Sequence, residues 1–492
     1  MFTEMLTRAF PDGDNFTGSS SDESRFDSLR CCRYDNPGRT TGSPHTRFHR
    51  PDWRIKMEIQ ISVTKKYIAI PVWTEPVEAV SYHLDIYDGS AKLYHWMLPD
   101  VKSDGTDREP DYYAFLPASL QEREKTGSGE MPSGQHILKI ETDAPFFDGK
   151  YIYETDEPDY ASKDSVECIH YHAPYGSIND PNGMVYDGRL WHLYHQHNPM
   201  NNRWSNMTWG HAVSEDLVHF RFTGDVLFPD DEGVIFSGCG IVNDRECFGL
   251  DKNALLFFYT YACERIENGT KNRYFTQRMA YSVDGGSTLV RYPGWELPTI
   301  EGENRDPKIF WHRESNAYIM VLYLTGNRFR ILRSADLENW ETTCEMNLPP
   351  MWECPDLLRF SDDLWAFVSA DGYYLLGGFD GYKWTAESGM QTLYANDLPY
   401  AAQTFSGTDG RTIQVSWIRT VNKGENWHGM MTVPRELSLG TDENGPYIRQ
   451  SFVKEALSYI KKNKEGAAVI EDRYIRESLD ERGRILSVEQ LF

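Results

Sequence analysis

Asn179-Asp180-Pro181-Asn182-Gly183 continues as Met184-Val185-Tyr186, turns, and returns as Leu190 to Tyr194. An acid, a proline and two apolar runs split by a polar turn read as a carboxylate at the entrance of a β-hairpin. The same order recurs twice. Arg305-Asp306-Pro307 precedes Lys308 to Trp311 and Tyr318 to Leu322, while Glu353-Cys354-Pro355-Asp356 precedes Leu357 to Phe360 and Leu364 to Val368. A carboxylate just before the first strand of a repeated unit occupies an equivalent corner of each unit. Units arranged radially would bring the three carboxylates together on the central axis.

The repetition extends beyond the acids. Ser214-Glu215-Asp216-Leu217, Ser282-Val283-Asp284-Gly285, Ser334-Ala335-Asp336-Leu337 and Gly378-Phe379-Asp380-Gly381 each follow an apolar strand and precede an aromatic residue, Phe220, Tyr292, Trp340 and Trp384 respectively. Each segment reads as the outer turn of a four-stranded sheet. Inner strands near Met184, Ile235, Lys308, Leu357 and Thr404 then mark five units of roughly 45–65 residues, the size of propeller blades. Radial closure protects the sheet edges and leaves an axial funnel.

The expected fold is therefore all-β, a five-bladed β-propeller over residues 161–440. A small β-sandwich-like domain over 57–160 precedes it, read from alternating runs such as Tyr82-His83-Leu84-Asp85-Ile86 and His136-Ile137-Leu138-Lys139-Ile140. Residues 1–56 hold eight Arg to one Lys among Ser, Asp, Gly and Pro, a composition expected to stay disordered. Residues 441–492 form the C-terminal tail, expected as a remnant of a β-sandwich or a helical extension. Within it, Ser451 to Lys462 suits a short amphipathic helix and the rest is charged and weakly patterned.

A formal net charge of −24 repels phosphate backbones and anionic lipid, so neither nucleic acid nor a membrane is an expected partner. No run approaches the ~20 apolar residues of a membrane span, and the N-terminus lacks the apolar core of a signal peptide. As written, the chain is expected in the cytoplasm, with secretion open if the N-terminus is mis-assigned. Its eight Cys show neither metal-ligand spacing nor a disulfide framework. Aromatics make up 14 % of the chain; most serve packing, and the remainder suit a polyhydroxylated ligand that offers C–H faces to rings.

Cleaving a glycosidic bond takes a nucleophile or base on one face of the sugar and a proton donor at the leaving oxygen. A third group that grips hydroxyls more tightly in the oxocarbenium-like transition state adds to the rate. Three converging carboxylates supply all three, and Arg305 beside Asp306 is expected to keep that acid ionised.

The three motifs, with Trp352 before Glu353, resemble the signatures of glycoside hydrolase family 32, the invertases, levanases and inulinases. Gln196-His197-Asn198-Pro199, Trp209-Gly210-His211-Ala212, Phe236-Ser237-Gly238, Tyr400-Ala401-Ala402-Gln403-Thr404-Phe405 and Thr432-Val433-Pro434-Arg435-Glu436-Leu437 add to the resemblance. It implies a five-bladed propeller and retaining hydrolysis of β-fructofuranosides with no metal or cofactor. Asp180 would be the nucleophile that forms a fructosyl-enzyme, Glu353 the acid/base and Asp306 the transition-state stabiliser. Asn179, Gln196, Trp204, Phe236, Ser237, Arg305, Tyr400 and Trp417 match positions that line the fructose subsite. Two departures, Ser177 in place of a Trp and Cys239 in place of a Ser, bear on the leaving-group side. Sucrose, fructo-oligosaccharides, levan and inulin all remain as substrates, and the oligomeric state is open. A fructosyltransferase using the same acids, or a fructan-binding protein without catalysis, are the other readings.

Overall fold

The computed structural model describes residues 57–491 apart from 75–76, 102–108, 120–135, 148, 161–167, 268–269, 423 and 465. The leader expected to be disordered, 1–56, lies outside the described residues. The described chain is all-β, with short 3₁₀ turns as its only helices.

Strands Met57–Val63, His136–Thr142, Val77–Asp88 and Ala91–Val101 form one antiparallel sheet in that order. Tyr112–Pro117, Tyr67–Val72 and Tyr153–Thr155 form a second. In His136–Thr142 every second residue, Leu138, Ile140 and Thr142, turns inward, as the two-residue strand period requires. The inward residues of both sheets share one core that includes Ile68, Ile70, Leu84, Ile86, Trp96 and Leu116. Met200, Phe222 and Phe228 belong to that core too, so this unit is packed onto the next.

Five sheets follow in chain order, each built on four antiparallel strands, and three of them carry a short additional strand. Their first strands are Gly176–Tyr186, Gly233–Val242, Arg305–His312, Asp356–Arg359 and Pro399–Thr404. Each expected inner strand is the first strand of one of these sheets. Hydrogen bonds join the segments that carry these strands in a closed circuit. Ser237 Oγ donates to Asp180 at 2.6 Å, Ile309 N to Cys239 Sγ at 3.2 Å and Cys354 N to Asp306 Oδ2 at 3.1 Å. Thr404 N donates to Asp356 Oδ2 at 3.1 Å, and Tyr186 N to Ser406 O at 2.9 Å.

The repeated Ser/Gly–x–Asp segments link the third and fourth strands of the first four sheets. Asp216, Asp336 and Asp380 each accept two backbone N–H groups from the turn that follows, and Asp284 accepts one. Ser214, Ser282 and Ser334 hydroxyls donate to the same carboxylates. An Asx-type turn of this kind explains why the acid recurs at these positions.

The amphipathic helix expected over Ser451 to Lys462 does not form. Ser451 and Phe452 end a strand, Gly445–Phe452, paired to Arg435–Asp442, and only Lys454–Tyr459 is helical, as a 3₁₀ turn. Ladder pairing and burial of Phe452 win over helix formation, because six residues are too few to nucleate an α-helix. Lys461–Lys462, Ala468–Glu471, Ile475–Leu479 and Leu486–Gln490 then make an antiparallel sheet. Its alternation is hidden in sequence because Glu477 takes an inward position between Ile475 and Leu479. Fully buried, Glu477 lies 3.1 Å from His170 Nε2, while Asp472 lies 2.6 Å from His170 Nδ1. Burial alone would lower the His170 pKa; the two carboxylates outweigh it and push it up to about 9.

Candidate active site

The first strands are regular except where they carry the motif residues. Pairing of Gly176–Tyr186 with Trp191–Asn198 breaks between Ile178 and Pro181, which frees Asn179 and Asp180 from the ladder. It breaks likewise between Ile235 and Gly238 around Phe236 and Ser237, between Arg305 and Lys308 around Asp306, and between Tyr400 and Gln403 around Ala401. Bulges re-aim side chains that a regular pleat would send to alternate faces, and the unpaired position between Arg305 and Lys308 tolerates Pro307, which donates nothing. Asp306 (φ 62°), Glu353 (φ 50°), Cys354 (φ 38°) and Ala401 (φ 52°) adopt left-handed backbone that such residues rarely enter. This strain persists only where surrounding contacts enforce it. Gly183 is required for a different reason: at φ 53°, a Cβ would lie 2.9 Å from both the Trp209 and Tyr194 rings.

Bulges at Asp180 and Asp306, and the left-handed turn of Glu353 and Cys354 before Asp356–Arg359, bring the three acids together. Asp180 accepts Ser237 Oγ at 2.6 Å and Asn179 Nδ2 at 3.1 Å. The Cys354 sulfur touches both Asp180 Oδ2, at 3.8 Å, and Asp306 Oδ2, at 3.7 Å. Asp306 also receives the Cys354 N–H, and its own N–H donates to Thr260 Oγ1 at 3.0 Å. Glu353 is held by Arg305 Nη2 on one oxygen and by the Tyr400 hydroxyl, at 2.7 Å, on the other. Asp306 and Glu353 are only 5 % and 4 % exposed, whereas Asp180 keeps a partly open face. The open face is where a ligand can approach.

The Arg305 guanidinium engages Glu353 and stands 3.9 Å from Asp306, over the Tyr323 ring. The expectation that Arg305 keeps Asp306 ionised is corrected accordingly. Burial pushes the Asp306 pKa up to about 7; Arg305 opposes this, while Glu353 and Asp180 reinforce it. Asp180 is also raised, by burial and then by Glu353, against the pull of Ser237 and Asn179. A folded-state pKa above the ordinary 3.8 means that the fold loses stability as pH rises from about 4 to about 7. Asp306→Asn removes that charge and keeps an acceptor for the Cys354 N–H. Its melting temperature at pH 7.5 is expected to rise by ~1–3 °C over wild type, and to fall back to parity near pH 4. Thermal melts at the two pH values check this.

The other expected subsite residues divide into two groups. Asn179, Ser237, Arg305 and Tyr400 hydrogen-bond directly to an acid. Gln196, Trp204, Phe236 and Trp417 stand around them. Gln196 is buried opposite Trp209 in the ladder. Trp204 packs edge-on to Phe236 at 6.1 Å, on a loop fastened by Asn206 to Met97 of the N-terminal sheet through two 2.9 Å hydrogen bonds. Trp417 lies edge-on to Tyr400 at 6.4 Å, and its buried Nε1 has no partner among the described residues. The Cys239 sulfur accepts Ile309 N–H inside the contact between the second and third sheets. It thus bears on packing there and not on the leaving group.

Sequence reasoning missed Thr260, which holds Asp306 and donates onward to Gln277 at 2.7 Å. It sits in an ordinary apolar strand, Leu255–Glu267, with no local signal. Cys354 likewise carries no signal beyond its place beside Glu353, yet its sulfur lies against both Asp180 and Asp306. Among the described residues, a His and two carboxylates close enough to share a cation occur at Asp85, His95 and Asp231. The Lys92 ammonium already lies 3.3 Å from Asp85 and 3.0 Å from Asp231.

A family model described as "Glycosyl hydrolases family 32 N-terminal domain" matches residues 170–451. The levanase of Bacillus subtilis (strain 168) is 30% identical over 357 residues, 65% of this chain and 50% of that protein. An extracellular exo-inulinase of Meyerozyma guilliermondii is 30% identical over 60% of this chain and 62% of its own length. An invertase of Debaryomyces hansenii is 30% identical, over 60% and 59% respectively. The chain thus spans about half to three fifths of these curated relatives. Among solved structures, an exo-inulinase from Aspergillus awamori superposes with TM-score 0.59 at 19% identity, covering 68% of this chain and 94% of that one. A fructofuranosidase from Schwanniomyces occidentalis, complexed with fructose, gives 0.56 at 22%, covering 66% and 92%. These two likenesses concern the fold.

Proposed function

Because the chain belongs to glycosyl hydrolase family 32, we propose that it hydrolyses β-fructofuranosidic bonds with retention of configuration. The observation that carries this reading is a partly open carboxylate, Asp180, facing two closed ones that are held by different partners. The five sheets are read as the blades of a propeller; the closed circuit of hydrogen bonds between their first strands supports this. The acids then sit at the mouth of the axial funnel.

In this mechanism Asp180 attacks the anomeric carbon as Glu353 protonates the departing oxygen, giving a fructosyl ester of Asp180 and a free aglycone. Glu353, now a carboxylate, takes a proton from water, which attacks the same carbon and releases fructose and Asp180. Ser237 and Asn179 orient the Asp180 carboxylate through its two oxygens. Tyr400 and Arg305 do the same for Glu353, and Arg305 stabilises its anionic form once the proton has left. Asp306 accepts hydrogen bonds from ring hydroxyls that tighten as positive charge develops. Arg273 is engaged by Glu264 and Glu303, and Arg328 by Glu301 and Glu345, which argues against either as a free phosphate anchor for a phosphorylated sugar.

The relatives are named for levan, inulin and sucrose cleavage, so the shared chemistry is a fructosyl unit with a variable far side. Sucrose, kestose, inulin and levan incubated with the protein should each be assayed by chromatography. Free fructose from at least one is the expected product, and with methanol present, methyl β-fructofuranoside. Chains longer than the donor would indicate transfer as the main reaction. A methyl α-product would exclude retention.

A further inference from the structure

Within three residues of Asp306 and Glu353 along the chain lies a second charged cluster that the proposed chemistry does not use. Lys308 Nζ donates to Thr404 O at 2.6 Å and to Thr404 Oγ1 at 3.0 Å, and lies 3.2 Å from Asp356 Oδ2. Thr404 donates back to the same Asp356 oxygen, from its hydroxyl at 2.7 Å and from its N–H at 3.1 Å. The three residues come from the first strands of the third, fourth and fifth sheets, and all are buried: Lys308 8 %, Asp356 1 % and Thr404 7 % exposed. Lys308 follows Asp306 by two residues, and Asp356 follows Glu353 by three. Asp306, Glu353 and Cys354 all have the left-handed backbone that only surrounding contacts can hold.

We infer that Lys308, Asp356 and Thr404 form a positioning cluster that fixes the separation of Asp306 and Glu353 across the sheet boundaries. A buried ion pair seldom repays its desolvation in stability alone; its better-attested use is to specify one arrangement. Here each donor and acceptor in the cluster comes from a different sheet. A shift of any one sheet along the axis breaks a bond and displaces an acid. The Thr404 hydroxyl is the hinge of the set, since it accepts from Lys308 and donates to Asp356 at once.

The inference rests on the fructosidase reading, and its test keeps the two apart. Initial rates of fructose release from sucrose, inulin and levan are measured for wild type, Thr404→Val and Thr404→Ser, well below each melting temperature. Val keeps the volume and the backbone groups and removes the hydroxyl; Ser restores it. Thr404→Val is expected to lose about tenfold or more in kcat, because a misplacement of ~1 Å costs up to ~100-fold. Its pH–rate profile should shift, and Thr404→Ser should recover both. A folded Thr404→Val with kcat within twofold of wild type and the same pH profile overturns the inference, even if it melts earlier. Should Thr404→Val not fold, Asp356→Asn takes its place with the same two outcomes. If neither folds, the cluster serves folding and the positioning role is withdrawn. Wild type that releases no fructose from any of the three overturns the fructosidase reading itself.

Discussion

Asp180→Asn is expected to lower fructose release by about four orders of magnitude or more while leaving the fold intact. An amide of the same shape still accepts the Ser237 hydroxyl hydrogen bond, so the pocket keeps its packing. It cannot form the ester, however, and neither of the other two acids is placed to replace it. Asp306 and Glu353 are each engaged by backbone or side-chain donors and are less exposed than Asp180, which leaves them to bind hydroxyls and move a proton but not to take over the attack. The large effect follows because loss of a nucleophile removes a covalent route and not just one transition-state contact. Removing the Asp180 charge also relieves repulsion from Glu353, so the melting temperature should hold or rise. Rates within tenfold of wild type would remove Asp180 from the chemistry.

Glu353→Gln carries the second largest effect, with a different signature. Proton donation contributes about 10²–10⁴-fold, and the loss should fall on substrates whose leaving oxygen needs the proton. A fructoside with a strongly acidic aglycone, such as a nitrophenol, should lose far less in the first step. Its second step should still be slow, because no base activates water, so fructosyl-enzyme should accumulate. Unlike Asp180→Asn, this change should also destabilise the fold. Arg305 is buried and gives Nη2 to Glu353. Removing one charge of a buried pair costs about 3–5 kcal/mol, here at the lower end because the Gln oxygen still accepts. Equal losses for good and poor leaving groups, with an unchanged melting temperature, would contradict both halves of this assignment.

The acids were legible in sequence because each stands before a proline and a strand, so a local pattern marks a corner that recurs. The same holds for Asp216, Asp284, Asp336 and Asp380, whose turns are closed by neighbours two to four residues away. What was not legible depends on pairing across sheets. Nothing near Arg305 says that its guanidinium goes to Glu353 and not to the adjacent Asp306. Lys308 and Asp356 each look like an ordinary charge in a strand until Thr404 joins them. At the C-terminus Glu477 occupies a core position that buried His170 and the Val433 N–H make tenable, and this polar residue masked the strand alternation around it. In each case a buried polar group is satisfied by a partner far away in the chain, which local periodicity does not carry.

The proposed mechanism turns on covalent fructosylation of Asp180. Wild type and Glu353→Gln, mixed with a nitrophenyl fructoside, quenched in acid within milliseconds to seconds and digested, would be mapped by mass spectrometry. The expected result is an added mass of one fructosyl residue on the peptide containing Asp180, more abundant in Glu353→Gln than in wild type. An adduct on any other residue, or turnover with no adduct and an inverted first product, would contradict it.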